Sequence, residues 1–310
     1  NVLVADYGDV EFTWTIRNGN CQGSDNIMVH FNQTPVAYAG EDFSICGTTA
    51  EVEAELSLSG STGYWSGPGS FASSTSPATT VNSNIGVQVF TWREENGDCW
   101  DEDNIAITFI QVPSPTTINN HDTVCGTECE LVVQNSLFDG YWTAYTGDPL
   151  EIMTPAPSYE PSVYSPQATV TIGNYTGYTK EVEFVWIETN QVNGVTCTND
   201  ASLTVVFAKT PYASVGAVNE AEICGSDFEL DADTTGSGWA EGTWFSKDVI
   251  ASFSDIHDPN AIVTVQTPAS FGDTAYVRAP FIWAMRNGGC STMDTMWVTF
   301  YQRPVANAGL

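Results

Sequence analysis

Eight cysteines and one dense run of carboxylates are the groups in this chain with chemistry to offer. Four cysteines close a recurring phrase, Phe-x-Trp followed by Asn-Gly and then Cys. The copies run from Phe12 and Trp14 to Cys21, Phe90 and Trp92 to Cys99, Phe184 and Trp186 to Cys197, and Phe281 and Trp283 to Cys290. Cys46, Cys125 and Cys224 each precede a glycine and follow Ile or Val; Cys129 fits neither pattern. There is no Cys-x-x-Cys pair, and His30, His121 and His257 are scattered, so a zinc site is not expected. Thiols at repeated positions point instead to disulfides, formed in an oxidising compartment outside the cytosol.

The carboxylate run surrounds Cys99: Asp98, then Asp101, Glu102 and Asp103. Hard oxygen ligands on a loop between strands suit Ca²⁺, which makes Asp101, Glu102 and Asp103 the candidate metal ligands. The competing expectation is a solvated charged loop, because the other copies of the phrase lack the run. No other cofactor is expected. Glycoside hydrolysis needs two acids at a set separation across a cleft, and with 38 acidic residues pairs arise by chance. No nucleophile elbow, P-loop or dinucleotide fingerprint is present, so the chain is not expected to be an enzyme.

Eight basic residues stand against those 38 acids, for a formal charge of −30. Such a surface repels phosphate backbones and anionic lipid, which argues against nucleic acid and membrane surfaces as partners. No apolar run is long enough to span a bilayer, so direct membrane insertion is not expected.

The elements that must carry these groups read as strands. The phrase cysteines recur at intervals of 78, 98 and 93 residues, the size of a complete sandwich domain rather than of a solenoid repeat. Val89 to Trp92 and Glu183 to Trp186 alternate at period two, putting Phe and Trp on one face. Asn-Gly turns the last hairpin, since both residues tolerate positive φ, and the loop is expected to run on past the cysteine. Further strands are marked by the Gly-x-Trp of Trp65, Trp142 and Trp244 and by Pro-x-x-x-Val from Pro77, Pro166 and Pro259. The recurring tryptophans Trp14, Trp65, Trp92, Trp142, Trp186, Trp244 and Trp283 are expected in cores, whereas Trp100, Trp239 and Trp297 are off-pattern.

Helical periodicity is nearly absent. The fold class expected is all-β, with tandem immunoglobulin-like β-sandwich domains arranged head to tail as a rod. Prolines set the boundaries: 1–34 ends one repeat, 35–112, 113–210 and 211–303 are whole repeats, and 304–310 begins the next. The chain is thus expected to be a segment of a longer protein.

The order Pro-Val-Ala-x-Ala-Gly, Ile-Cys-Gly, Gly-x-Trp-Ser-Gly-Pro-Gly, Phe-Thr-Trp, Asn-Gly-x-Cys resembles the immunoglobulin-like and PKD-like repeats of giant Bacteroidota surface adhesins. The SprB-like gliding-motility adhesins, exported by type IX secretion, are of this kind. The resemblance implies an extracellular, cell-surface location and a structural and adhesive role in a long filament. The neighbouring repeats of the chain are then its first partners, with surface glycans or a substratum beyond. It also implies a glycoprotein, with Asp-Thr sites at Thr123, Thr234, Thr274 and Thr295. The alternative is a glycan- or calcium-binding module of a secreted multidomain protein, for which the long stretch from Tyr145 to Tyr164 is the best candidate.

Three disulfide patterns stay open. Within each repeat, Cys46 would pair with Cys99, Cys125 with Cys197 and Cys224 with Cys290, leaving Cys21 a partner upstream and Cys129 spare. Alternatively, the two cysteines of one sandwich lie at opposite ends, about 25–30 Å apart, too far for a bond that needs about 7 Å. Cys46 then joins Cys197 and Cys125 joins Cys290, between neighbouring repeats. The third pattern is Cys125 with Cys129 across a tight turn.

Overall fold

A computed structural model describes residues 7–118, 123–147, 151–235, 239–266, 276–303, 306 and 309. The described residues form twenty-five strands and no helix. Contacts divide the chain into two compact units: 1–114 with 137–139 and 188–199, and 115–136 with 140–187 and 200–310. This differs from boundaries set by prolines alone. The tip of the third repeat's last hairpin, 188–199, belongs with the repeat before it, for reasons given below.

In the first unit, β1 (Gly8–Asn18) and β2 (Cys21–Phe31) form a two-stranded hairpin. The sandwich that follows contains β3 (Phe43–Cys46), β4 (Thr49–Glu53), β5 (Thr62–Ser66), β6 (Ser70–Phe71), β7 (Ala78–Asn82), β8 (Gly86–Asn96) and β9 (Cys99–Ile110). One sheet is ordered β3-β9-β8-β5 and the other β4-β7-β6. Between them lie Val52, Trp65, Val81, Phe90, Trp92, Ile107 and Phe109, among others.

The second unit carries two sandwiches. Its first has β10 (Thr116–Ile118), β11 (Thr123–Cys125), β12 (Glu128–Gln134), β13 (Asp139–Thr146), β14 (Glu151–Ile152), β15 (Ser158–Glu160), β16 (Gln167–Thr171), β17 (Thr179–Val192) and β18 (Val195–Ala208). The sheet orders are β10-β12-β16-β15 and β11-β18-β17-β13-β14. Its second has β19 (Glu220–Cys224), β20 (Asp227–Glu229), β21 (Glu241–Phe245), β22 (Ala251–Phe253), β23 (Ile262–Val265), β24 (Tyr276–Asn287) and β25 (Cys290–Tyr301), ordered β19-β25-β24-β21 and β20-β23-β22. Each sandwich has its own buried cluster.

The two tryptophan phrases lock together across the sheet. Trp65 is paired with Trp92, and Trp244 with Trp283. Ring centroids lie 5.3 Å and 5.0 Å apart, and Trp142 sits 5.4 Å from Trp186. The glycine of Gly-x-Trp makes room for this packing. A Cβ on Gly63, Gly140 or Gly242 would fall 2.2, 2.4 or 2.0 Å from the indole of Trp92, Trp186 or Trp283, a clash that no side chain tolerates in a close-packed core. The indole acceptors lie at the proline of the Pro-x-x-x-Val phrase or one residue before it: Trp65 Nε1 donates to Pro77 O, Trp142 Nε1 to Ser165 O, and Trp244 Nε1 to Asp258 O and Pro259 O.

Trp14 departs from expectation. It is 74% exposed, while its counterparts Trp92, Trp186 and Trp283 are buried. Among the described residues β1 and β2 pair only with each other, and no second sheet covers their apolar face.

The last hairpin also differs from its sequence reading. Asn96 pairs directly with Cys99 and Asn287 with Cys290, so the turns are two residues long and the asparagine ends the strand. Gly97 and Gly288 take positive φ there, at 61° and 56°. Only in the third repeat do Asn193 and Gly194 themselves form the turn, at φ 50° and 80°.

Candidate functional site

The cysteines are placed by the first and last strands of each sandwich. Strand β3 runs parallel to β9, with Cys46 opposite Ile110; β11 runs parallel to β18, with Cys125 opposite Ala208. The next glycine crosses to the other sheet at positive φ, 91° for Gly47 and 105° for Gly126, and its amide donates back to Ile110 O at 2.8 Å or Ala208 O at 2.9 Å. The front cysteine is thereby fixed at the end where the chain leaves the sandwich. The hairpin cysteine lies at the other end of the same strand. From Cys99 to Ile110 the separation is about 36 Å, at about 3.3 Å per residue. Pairing within a repeat is therefore corrected: the sandwich itself holds those thiols apart.

The structure joins Cys46 to Cys197 and Cys125 to Cys290, with Cα atoms 5.6 Å and 5.5 Å apart. Each bond ties the front cysteine of one repeat to the hairpin tip of the next. Cys125 is thus unavailable to Cys129, which is buried on β12 in the core. Burial, with the Glu128 charge, pushes the Cys129 thiol up to about 12. Cys21, Cys99 and Cys224 carry no disulfide.

A hydrogen bond recurs at three hairpin tips, two of them tied by a disulfide. Asn96 Nδ2 donates to Gln33 O at 2.9 Å, Asn190 Nδ2 to Gln111 O at 2.8 Å, and Asn287 Nδ2 to Lys209 O at 2.9 Å. The three acceptors stand two residues after Phe31, Phe109 and Phe207, and the three donors six residues after Phe90, Phe184 and Phe281. Reading the phrase through Asn-Gly assigns the third copy to Asn193 and misses Asn190. The third hairpin is longer, and its extra length carries Asn193 Nδ2 onward to Ser44 Oγ at 3.2 Å. The sulfurs follow the same rule: Cys99 Sγ lies 3.6 Å from Asn32 O and Cys290 Sγ 3.9 Å from Ala208 O.

The acidic run is not on a loop. Asp101, Glu102 and Asp103 lie on β9, where successive side chains face opposite ways. Asp101 Oδ2 accepts from Ala37 N at 3.0 Å and Asp103 Oδ2 from Ala39 N at 2.9 Å, strapping the linker segment to the sheet. Asp294 repeats this in the last sandwich, accepting from Val215 N at 3.0 Å. Glu102 pairs with Arg93 at 3.2 Å, and the Arg93 guanidinium covers the Trp100 ring at 4.1 Å. Among the described residues no three His, Cys, Asp or Glu side chains gather as a metal would need.

Two buried carboxylates escaped the sequence reading. Glu94 and Glu188 are fully buried. Glu94 accepts from Ser57 N and Oγ, Leu58 N and Ser61 Oγ. Glu188 accepts from Leu137 N at 2.7 Å and Phe138 N at 2.6 Å. Both clasp the turn leading into the Gly-x-Trp strand. Burial pushes the Glu94 carboxyl up, but the Ser61 and Ser57 hydroxyls and the Ser57 and Leu58 amides outweigh it and hold the group below its ordinary value. The signal was there: each glutamate continues Phe-x-Trp-x-Glu at period two, which puts an acid on the core face. The last repeat carries Met285 at this place, buried.

Of the four threonine candidates, Thr274 lies outside the described residues. Thr123, Thr234 and Thr295 are half-buried. Thr123 lies in the covered region beside the last repeat's turn, where a Cβ on Gly289 would meet its own Cβ at 3.7 Å. The stretch from Tyr145 is a sheet extension, with Tyr145 paired to Ile152 and Met153 buried.

Trp239 stacks on Tyr178, with centroids 4.8 Å apart and planes 14° apart. Beside it, Tyr175, Lys209, Tyr212, Asn174 and Thr127 line a cavity of about 500 Å³. Lys209 Nζ lies 5.6 Å from the Tyr175 ring, and the Tyr175 hydroxyl is buried with no hydrogen-bond partner among the described residues.

No family model matches the chain, and no curated protein matches it. Solved structures do. The N-terminal eight Ig domains of Down Syndrome Cell Adhesion Molecule align over 96% of this chain and 40% of theirs, at 10% identity and a TM-score of 0.53. The chain is a tandem array of immunoglobulin-like sandwiches. Titin domains I67–I69 also align, over 88% of this chain and 99% of theirs, at 11% identity and a TM-score of 0.38. The ICAM-5 D1–D4 fragment aligns over 87% and 77%, at 10% and 0.42. An immunoglobulin-like array differs from a solenoid in that each sandwich has a closed core, so the fastening between sandwiches is a separate device.

Proposed function

We propose that this array is a structural and adhesive segment of a long extracellular filament at a cell surface. The observation that carries the reading is the repeated junction, in which a disulfide and an asparagine fasten the hairpin tips of the last two repeats to the repeat before each. A molecule that need only display one binding face gains nothing from covalent ties between successive domains; one that spans distance under load does. The disulfides fit an oxidising compartment and the charge of −30 keeps such an array soluble. The gliding-motility and type IX secretion setting rests on the sequence resemblance alone. Electron microscopy of the oxidised chain is expected to show thin particles roughly 12 nm long, at roughly 4 nm per sandwich; compact globules would overturn the reading.

The aromatic cavity favours a second role, in which the filament grips a surface glycan. Tyrosine and tryptophan faces beside amide and hydroxyl groups suit a sugar ring, and Lys209 suits one that carries an acid group. On a glycan array the chain is expected to retain acidic glycans, and Trp239→Ala to lose them at least tenfold. Equal binding by the variant would remove this role.

A further inference from the structure

Given the glycan reading of the aromatic cavity, on which this rests, we infer that the cavity holds an acidic sugar only while the junction between the third and fourth repeats is seated. Reducing Cys125–Cys290 then releases the ligand.

The walls of the cavity come from two sandwiches. Thr127, Asn174 and Tyr175 belong to the third repeat, and Lys209 follows its last strand directly. Tyr212 and Trp239 belong to the fourth. Trp239 reaches across to stack on Tyr178, the residue before β17. The cation and the indole are therefore supplied by different repeats.

The hairpin tip of the fourth repeat holds these walls by their backbone. Asn287 Nδ2 donates to Lys209 O at 2.9 Å and to Tyr178 O at 3.0 Å. Lys209 N donates to the same Tyr178 O at 2.9 Å. One asparagine thus clamps both the residue that carries the cation and the residue on which Trp239 stacks. Thr292 Oγ1 donates at 2.8 Å to the carbonyl of Pro211, which adjoins Tyr212. Cys290 is bonded to Cys125, two residues before Thr127. The groups that seat the tip and the groups that line the cavity are neighbours along the same short segments.

The junction before it has the same seat without the cation. Asn190 Nδ2 donates to Gln111 O at 2.8 Å and Asn199 Nδ2 to Pro113 O at 2.8 Å, as Asn287 and Thr292 do to Lys209 and Pro211. Gln111 stands two residues after Phe109, where Lys209 stands after Phe207.

When the seat opens, Trp239 moves off with the fourth repeat, and the cation and the indole part. A ligand that touches both binds the seated form more tightly. By linkage the effect is reciprocal, so the ligand favours the closed disulfide by the same factor. Reduction oxidises two thiol groups of the reductant to one disulfide, and their protons end on Cys125 and Cys290.

The test is calorimetric titration of the full oxidised chain with 3′-sialyllactose, a trisaccharide bearing one carboxylate. Cys125→Ser with Cys290→Ser is expected to weaken binding about tenfold, within the range for coupled sites. Cys46→Ser with Cys197→Ser, which unties the other junction, should leave binding unchanged. A second measurement uses the unsubstituted chain. In dithiothreitol redox buffers that half-reduce each bond, saturating sugar should raise the oxidised-to-reduced ratio of Cys125–Cys290 about tenfold and leave that of Cys46–Cys197 as it was, read by mass spectrometry of trapped thiols. Equal binding by the two double variants, or a Cys125–Cys290 ratio indifferent to the sugar, would overturn the inference and leave the glycan reading standing. No binding by the oxidised chain would remove both.

Discussion

In a chain carrying Cys125→Ser and Cys290→Ser, reducing the remaining Cys46–Cys197 bond is expected to add about 50 nm to the length reached when the molecule is pulled out from its ends. The bond bridges 151 residues, each worth about 3.3–3.6 Å when extended. While it holds, those residues lie off the covalent path between the ends and cannot contribute, even after their sandwich has unfolded. Single-molecule stretching with and without reductant reads the difference directly. An oxidised chain that reaches the reduced length would mean that the Cys46–Cys197 bond is absent. In the unsubstituted chain, the spans 46–197 and 125–290 overlap, so the extensible length of the oxidised molecule is shorter still.

Replacing Glu94 with alanine is expected to cost the second repeat about 4 kcal/mol, since each buried donor it leaves unpaired costs about 1–3 kcal/mol. The removal leaves Ser57 N, Leu58 N and the Ser57 and Ser61 hydroxyls facing a cavity instead of a carboxylate. Hydrogen exchange by mass spectrometry reports each repeat separately, which a single melting curve of a multidomain chain does not. Amides of Ser57, Leu58 and β8 should exchange about a thousandfold faster, at 1.4 kcal/mol per tenfold. The contribution of Glu94 also follows pH with a definite sign. Its folded carboxyl is held below the unfolded value of about 4.3. The stabilisation is therefore complete above that value and is lost as pH falls through it toward the lower folded value. Glu94→Gln keeps the shape and should lose this acid dependence. A Glu94→Ala chain with unchanged exchange in Ser57 and Leu58 would show that the clasp carries no stability.

The legible part of this molecule is what repeats at fixed offsets from a core residue. Phe90 and Trp92 announced both a strand and its buried face, and their spacing gave the domain size. The strands carrying Trp65, Trp142 and Trp244 were legible for the same reason. What stayed hidden depended on partners remote in sequence. Asn190 was missed because four extra residues in its hairpin moved the turn away from it, and only the structure shows that strand position, not turn identity, is kept. Asp101 and Asp103 read as a loop because charge density favours solvent, yet alternate residues of an extended strand can spend that charge on linker amides. Glu94 and Glu188 were passed over because acids are seldom buried, although their period-two spacing from the tryptophan placed them inward. The cysteine pairing stayed open because residue spacing alone does not say at which end of a sandwich each cysteine sits. The parallel β3–β9 pairing distinguishes them.

That parallel pairing has a mechanical meaning when the third repeat is tied at both ends. Tension enters through Cys197, near the start of β18, and leaves through Cys125, at the end of β11. The two strands run side by side in the same direction, with Thr123 opposite Val206 and Cys125 opposite Ala208. Pulling one backward and the other forward slides them along each other. The hydrogen bonds between them must then yield together, as in shear, and cannot be opened one at a time like a zip. The sulfur bridges thus deliver force to the third repeat's sandwich along the direction in which a strand pair resists it best.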